Sequence, residues 1–283
     1  PSNVQFEELF SGFTTLNVAP EAVDEFYAQK KIQLKEARLL PNQYLLMKDS
    51  TNSHHTAMGR YNAEIDCIVP IYKPAEGLWG IFPKNIEQSF AIDMLLNDEI
   101  KLVSLVGKAG TGKTLLAIAA GLVKTVDEGV FHRLLVSRPV FPLGKDIGFL
   151  PGDIEEKLNP WMQPIYDNID FLFGASSAKA RRGAGKGCQE LMNQGLLNIE
   201  PLTYIRGRSI PQQFMIVDEA QNLTPHEIKT IITRAGDGTK IVLTGDPFQI
   251  DNPYVDSNSN GLAHVVERFK GESISGHISL TKG

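Results

Sequence analysis

The chain has 283 residues, 42% of them hydrophobic and 22% charged, with a formal net charge of −5. This is an ordinary globular composition, enough for one sizeable domain or a core domain with a smaller companion. It excludes a uniformly basic nucleic-acid binder, so any contact with nucleic acid has to be local.

In chain order, PEAVDEFYAQKK (20–31) reads as a helix, with Pro20 at its start and Val23, Phe26 and Tyr27 at helical spacing. QYLLMKDS, HTAMGRY and DCIVPIYK read as short strands, with a turn at DSTNSHH. KPAEGLWGIFP (73–83) is rich in Pro and Gly and reads as a linker. The expected division is a small β-containing connector over 1–80 and a larger unit over 81–283.

NIEQSFAIDMLLN predicts an amphipathic helix with Ile86, Phe90, Met94 and Leu95 on one stripe. KLVSLVG then predicts a buried strand and TLLAIAAGLVKTV a helix. RLLVSRP, NIEPLTYI, FMIVDEA and KIVLTGD are further strand candidates, each followed by a loop or helix. This alternation predicts an α/β fold: a parallel sheet flanked by helices, with ligands at the carboxyl ends of its strands. GASSAKARRGAGKG (174–187) is small and basic, a loop in which Lys179, Arg181, Arg182 and Lys186 are either solvated or in contact with a phosphate backbone.

Cys67 and Cys188 have no partner spacing, which argues against a disulfide framework or zinc site and favours a reducing, cytoplasmic setting. The apolar run LLAIAAGLV (115–123) is too short to span a bilayer, so no membrane association is expected. No signal peptide is recognisable, and a chain beginning with Pro1 is expected to be part of a longer one.

The octet GKAGTGKT (107–114) matches the phosphate-loop pattern between a predicted strand and a predicted helix. Gly107, Lys108, Ala109, Gly110, Thr111 and Gly112 would wrap phosphates with backbone N–H groups. Lys113 would reach the β- and γ-phosphates, and Thr114 would offer a hydroxyl to Mg²⁺. FMIVDEAQN (214–222) brings Asp218 to the Mg²⁺ site and Glu219 to an attacking water, a pairing that favours hydrolysis over transfer to a substrate hydroxyl. TGDPFQID (244–251) places Gln249 at a strand tip near the γ-phosphate; alone it would read as an ordinary Gly-Asp-Pro turn. Gln88, nineteen residues before the loop, carries an amide able to pair with adenine N6 and N7. No Asn-Lys-x-Asp guanine motif occurs.

His54 and His55 read as a surface turn rather than a metal site, and Trp79 and Trp161 as packing residues rather than base-stacking ones. Arg206 and Arg208 flank a glycine and could form ion pairs within the chain or reach a neighbouring subunit's γ-phosphate.

GKAGTGKT, VDEAQN and TGDPFQID, with KNIEQSFAIDMLL ahead, RPVFPLGKDIGFLPGD between and YIRGRSI before the second motif, resemble the PhoH family of ATPases. That family is similar to superfamily 1 helicases in its core motifs. The resemblance spans about residues 80–283. SGFTTLNV, DEFY, LLMKDS and TAMGRY resemble the connector of PIN–PhoH fusion proteins. The family resemblance implies a RecA-like P-loop core, ATP and Mg²⁺ as cofactors, ATPase or helicase-like activity coupled to binding or unwinding of RNA, with single-stranded RNA as partner, and a PIN ribonuclease domain upstream in the full-length protein. No complete PIN domain fits before the linker, and the chain stops at HISLTKG, where the family continues into an arginine-bearing stretch. With one RecA-like domain per chain, a neighbour's arginine would complete the site, which predicts a homo-oligomeric ring or other head-to-tail oligomer; the family resemblance implies a hexamer. Two other readings stay open: a nucleotide-gated binding module with little turnover, and a small-molecule kinase.

Overall fold

The computed structural model describes residues 9–140, 154–176, 187–205, 207–257 and 259–283. Two sheets organise them. The first has four strands in the order β1 (Phe13–Val18), β2 (Tyr44–Asp49), β3 (Thr56–Asn62), β4 (Cys67–Pro70). The three strands expected over 43–73 form an antiparallel meander. β1 adds parallel to β2, with helix α1 (Pro20–Gln29) as the crossover. Pro20 opens α1, and Val23 and Phe26 are its buried residues.

The second sheet has six strands, all parallel: β5 (Leu102–Gly107), β6 (Arg133–Arg138), β7 (Leu197–Pro201), β8 (Gln213–Val217), β9 (Lys240–Gly245) and β10 (Ser275–Leu280). Their spatial order is β10-β5-β9-β8-β6-β7. Helices α2 (Ile86–Leu96), α3 (Lys113–Leu122), α4 (Ile154–Ser176) and α5 (Cys188–Asn193) pack into one hydrophobic cluster with the sheet. Helices α6 (Pro225–Arg234) and α7 (Gly261–Phe269) pack in a second cluster. The central strands β5, β8 and β9 are mostly apolar and buried along almost their whole length, as a sheet covered on both faces requires.

Three sequence expectations change. NIEPLTYI is not one strand: β7 ends at Pro201 and the chain turns into a 3-10 helix over Leu202–Ile205. SGHISL, not predicted as a strand, is β10 and extends the sheet beyond β5. Helix α2 forms where predicted but is not amphipathic, since every residue from Glu87 to Leu96 is buried. Its polar residues have partners instead of solvent. Asp93 accepts hydrogen bonds from the Tyr44 hydroxyl (2.7 Å) and the Tyr72 N–H (2.6 Å), which fastens the small sheet to α2. Burial raises the Asp93 carboxyl above its usual range.

The segment expected as a linker is packed. Leu78 is fully buried and bridges Ile81, and the Trp79 ring stands edge-on to Phe173 at 5.3 Å while its Nε1 donates to Asp127. No described helix is long and apolar enough to cross a membrane.

Candidate nucleotide site

The carboxyl ends of β5, β6, β8 and β9 converge on one edge of the sheet. Register explains the meeting: Val106 of β5 pairs with Gly245 of β9, Val217 of β8 pairs with Leu243 of β9, and Ser137 of β6 pairs with Val217. The residues leaving these strands are therefore Gly107 with its loop, Arg138, Asp218 with Glu219, and Asp246.

The glycine loop runs from β5 straight into α3, as its sequence context predicts. Gly110 and Gly112 have φ of +83° and +85°, a left-handed backbone that L side chains rarely adopt. At Gly112 a Cβ would also come within 3.3 Å of the Gln88 amide nitrogen. Lys113 Nζ donates to the Lys108 carbonyl at 3.2 Å, folding its ammonium back over the loop. Thr111 Oγ1 donates to the same carbonyl.

Gln88 braces this loop from behind. It is buried, its Oε1 accepts from the Lys84 N–H (2.7 Å) and its Nε2 donates to the Thr111 carbonyl (3.1 Å). It is thus not a free surface amide; one N–H and one lone pair are left for a ligand. Glu87 beside it takes both the N–H and the hydroxyl of Thr281, so the segment after β10 lies along the start of α2, next to the loop.

Thr114 and Asp218 come from elements 104 residues apart and touch: Thr114 Oγ1 donates to Asp218 Oδ1 at 2.9 Å. Thr244, at the end of the intervening strand β9, donates to the same oxygen at 2.7 Å. A hydroxyl beside a buried carboxylate is a hard oxygen pair that suits Mg²⁺, which takes one or two protein ligands and completes its shell with water and substrate phosphates. No cluster of three His, Cys, Asp or Glu occurs among the described residues.

Glu219, the next residue, points to different partners. Its backbone is left-handed (φ +55°), its Oε1 lies 3.3 Å from Arg138 Nη2, and its Oε2 accepts from Gln221 Nε2. Burial, and then the adjacent Asp218, push its carboxyl above the usual range; the Gln221 hydrogen bond, Arg138 and Lys113 oppose the rise. A partly desolvated carboxylate with a raised affinity for protons is suited to general-base work.

Gln249 is exposed at the strand tip, as the sequence suggests, and its backbone is tied in. Its carbonyl accepts from Gln221 Nε2 at 2.8 Å, and Gln221 Oε1 accepts from the Asp246 N–H at 3.1 Å. Fully buried Gln221 therefore joins the DEAQN turn to the GDPFQ turn. Asn222 adds to the link by accepting from the N–H groups of Asp251 and Asn252. Arg138 and Gln221 do not stand out in the sequence, where one ends an apolar strand and the other is one of several polar residues in DEAQN.

The remaining expected residues lie apart or outside view. Arg208, half-exposed, pairs with Glu200 of its own chain. Arg206 and the loop residues Lys179, Arg181, Arg182 and Lys186 lie outside the described residues. His55 accompanies Asp49 and Asp24 in the surface turn. Trp161 contributes its carbonyl, which accepts from Arg138 Nη1 at 3.2 Å.

Comparison with known proteins places the chain in a family. Protein PhoH2 of Bacillus subtilis is 50% identical over 99% of this chain and 63% of its own length. Protein PhoH2 of Mycolicibacterium smegmatis is 37% identical over 96% of this chain and 59% of its own. The chain thus spans about three fifths of the length of these curated relatives. Among solved structures, the Pif1 helicase of Candida albicans aligns with 71% of this chain and 40% of its own at 15% identity and a TM-score of 0.34, too loose a likeness to carry a functional argument. The family described as PhoH-like protein matches residues 80–283, which hold the glycine loop, the Asp218–Glu219 turn and the GDPFQ turn, and the chain belongs to that family.

Proposed function

We propose that the chain is an ATPase that hydrolyses ATP to ADP and phosphate and couples the hydrolysis to single-stranded RNA. The observation that carries this reading is the division of labour between two adjacent carboxylates. Asp218 is bonded to the Thr114 hydroxyl of the phosphate loop, while Glu219 is turned to Arg138 and Gln221. These different surroundings support assigning Mg²⁺ to Asp218 and proton acceptance to Glu219.

In the proposed reaction, the backbone of 107–112 and the Lys113 ammonium bind the β- and γ-phosphates. Lys113 exchanges its present bond to the Lys108 carbonyl for the phosphate. Mg²⁺, when bound at Thr114 and Asp218, supplies charge neutralisation at the phosphate oxygens. Glu219 takes the proton of the water that attacks in line, and Gln249 stands where loss of the γ-phosphate is felt. Gln221 ties that turn to Glu219. The spare N–H and lone pair of Gln88 would select adenine.

The wider proposal concerns assembly and substrate. A homo-oligomeric ring, hexameric in this reading, would supply an arginine (Arg206 or Arg208) to a neighbour's γ-phosphate. Lys179, Arg181, Arg182 and Lys186 would contact RNA, in a cytoplasmic protein whose full length carries a PIN domain upstream. The test is ATP turnover of the purified protein with and without single-stranded RNA, measured across its oligomeric states. Turnover that rises with RNA supports the proposal, whereas tight ATP binding with no turnover in either condition would replace it with a nucleotide-gated binding module.

A further inference from the structure

Arg138 closes β6, and its guanidinium spans two elements. Nη2 reaches Glu219 Oε1 at 3.3 Å, and Nη1 donates to the Trp161 carbonyl on α4 at 3.2 Å. Both members of the ion pair are largely shielded, with side-chain exposures of 20% and 26%. The second Glu219 oxygen is taken by Gln221, itself fixed at its far side by Asp246 and Gln249. Each carboxylate oxygen therefore has its own donor, and the two donors come from different parts of the fold.

The backbone makes this arrangement necessary. Because Ser137 and Val217 are paired, Arg138 and Asp218 leave their strands side by side, and the Asp218 N–H donates back to the Ser137 carbonyl at 2.9 Å. Glu219 then takes a left-handed turn (φ +55°), a conformation that L residues adopt only at a cost. The side chain of such a turn residue is not packed into a helix or strand, so its direction has to be fixed by its hydrogen bonds.

We propose that Arg138 is the positioning residue for Glu219: anchored on the α4 carbonyl, its guanidinium sets the direction in which the carboxylate faces the attacking water and links the position of α4 to the rate of hydrolysis. A lysine could not do this equally, since one ammonium lacks the planar fork that spans two acceptors. The α4 side of the link is built to give. Pro160 and Pro164 lie within the helix on either side of Trp161, and a proline nitrogen cannot donate to the carbonyl four residues back, which weakens that turn. A ligand or subunit that shifts this turn shifts Arg138.

The inference rests on the reading of Glu219 as the base, and a double-mutant cycle separates the two. Single-turnover ATP hydrolysis and ATP affinity are measured for the wild type, Arg138→Ala, Arg138→Lys, Glu219→Gln and Arg138→Ala with Glu219→Gln. Arg138→Ala should lower the hydrolysis rate about 10–100-fold, the range expected when a reacting group is misplaced, with ATP affinity within about twofold of wild type. Arg138→Lys keeps the charge and most of the volume; it should recover part of the rate and is the informative variant if the alanine protein is poorly folded. In the Glu219→Gln background, Arg138→Ala should cost less than about threefold more, because the group it positions is gone. A full multiplicative loss in the double variant, an unchanged rate in Arg138→Ala, or a parallel loss of ATP affinity would overturn the Arg138 assignment alone. A wild-type rate in Glu219→Gln would instead remove the reading of Glu219 as base.

Discussion

The Thr114 hydroxyl and the Asp218 carboxylate, 104 residues apart in sequence, are hydrogen-bonded at 2.9 Å across the tip of β9. This contact joins the phosphate loop to the acidic turn, and it is the pair to which the proposed function assigns Mg²⁺. Asp218→Asn keeps the shape but removes the charge. It should abolish most of the dependence of ATP affinity on Mg²⁺, at least about tenfold, while affinity without metal changes little. Nucleotide titrations with Mg²⁺ and with a chelator check this. An undiminished Mg²⁺ effect would place the cation elsewhere.

Lys113→Ala should weaken ATP binding strongly, by about 100-fold or more, because it removes the fixed charge that meets the phosphates. The fold should tolerate the change, since the Nζ group bonds only to the Lys108 carbonyl. Equilibrium binding together with a thermal melt distinguishes weakened affinity from unfolding.

Gln88→Ala should weaken ATP more than GTP, since the proposed partners of its free N–H and lone pair belong to adenine. It should also loosen the phosphate loop for both nucleotides, because the Lys84 and Thr111 hydrogen bonds go with it. Affinities for the two nucleotides, compared as a ratio, isolate the base-specific part. An unchanged ratio would leave Gln88 as a brace alone.

Lys240 offers a pH test of the fold. It is fully buried, donates to the Met94 and Asn97 carbonyls at the end of α2, and burial lowers its pKa to about 7. Between about pH 7 and the ordinary lysine value near 10.4, the unfolded chain then holds a proton that the folded chain has released. The Lys240 contribution to stability should therefore rise with pH across that window and be flat below it. The melting temperature of the wild type should rise relative to that of Lys240→Met from pH 6 to 8 to 9.5. A difference that stays constant over this range would mean that the folded protein keeps the ammonium charged.

The proposed coupling to RNA rests on the basic stretch over 174–187. Replacing Lys179, Arg181, Arg182 and Lys186 with Ala should lower single-stranded RNA affinity, with ATP binding intact. The log–log salt slope should fall by about 0.7 for each RNA phosphate that no longer has a cationic partner. Affinity measured over a salt series reads both quantities. Unchanged values would make the loop a solvated connector.

What the sequence disclosed follows from how local each signal is. The strand–GKAGTGKT–helix unit was legible because its glycines answer to local backbone geometry, and the apolar runs ending in DEAQN and GDPFQ were legible as buried parallel strands. The small meander was legible from its alternation and turns. β10 was not, because SGHISL owes its strand to pairing with β5 and has little apolar pattern of its own. The parallel pairing of β1 with β2 depends in the same way on a long-range contact. The full burial of α2 was hidden because Glu87, Gln88 and Asp93 look like a solvent face until Thr281, Thr111 and Tyr44 supply their partners. Arg138 and Gln221 acquire meaning only through strand register, which a single sequence does not print.

In the proposed reaction Glu219 activates water while Asp218 serves the cation. The most direct measurement is phosphate release from saturating Mg²⁺-ATP by the wild type and Glu219→Gln, alongside ATP affinity for both. The account predicts that the variant binds ATP within about twofold of wild type and hydrolyses it about 10²–10⁴-fold more slowly, the contribution of a positioned general base. Phosphate release at the wild-type rate, or a loss of binding matching the loss of rate, would contradict it.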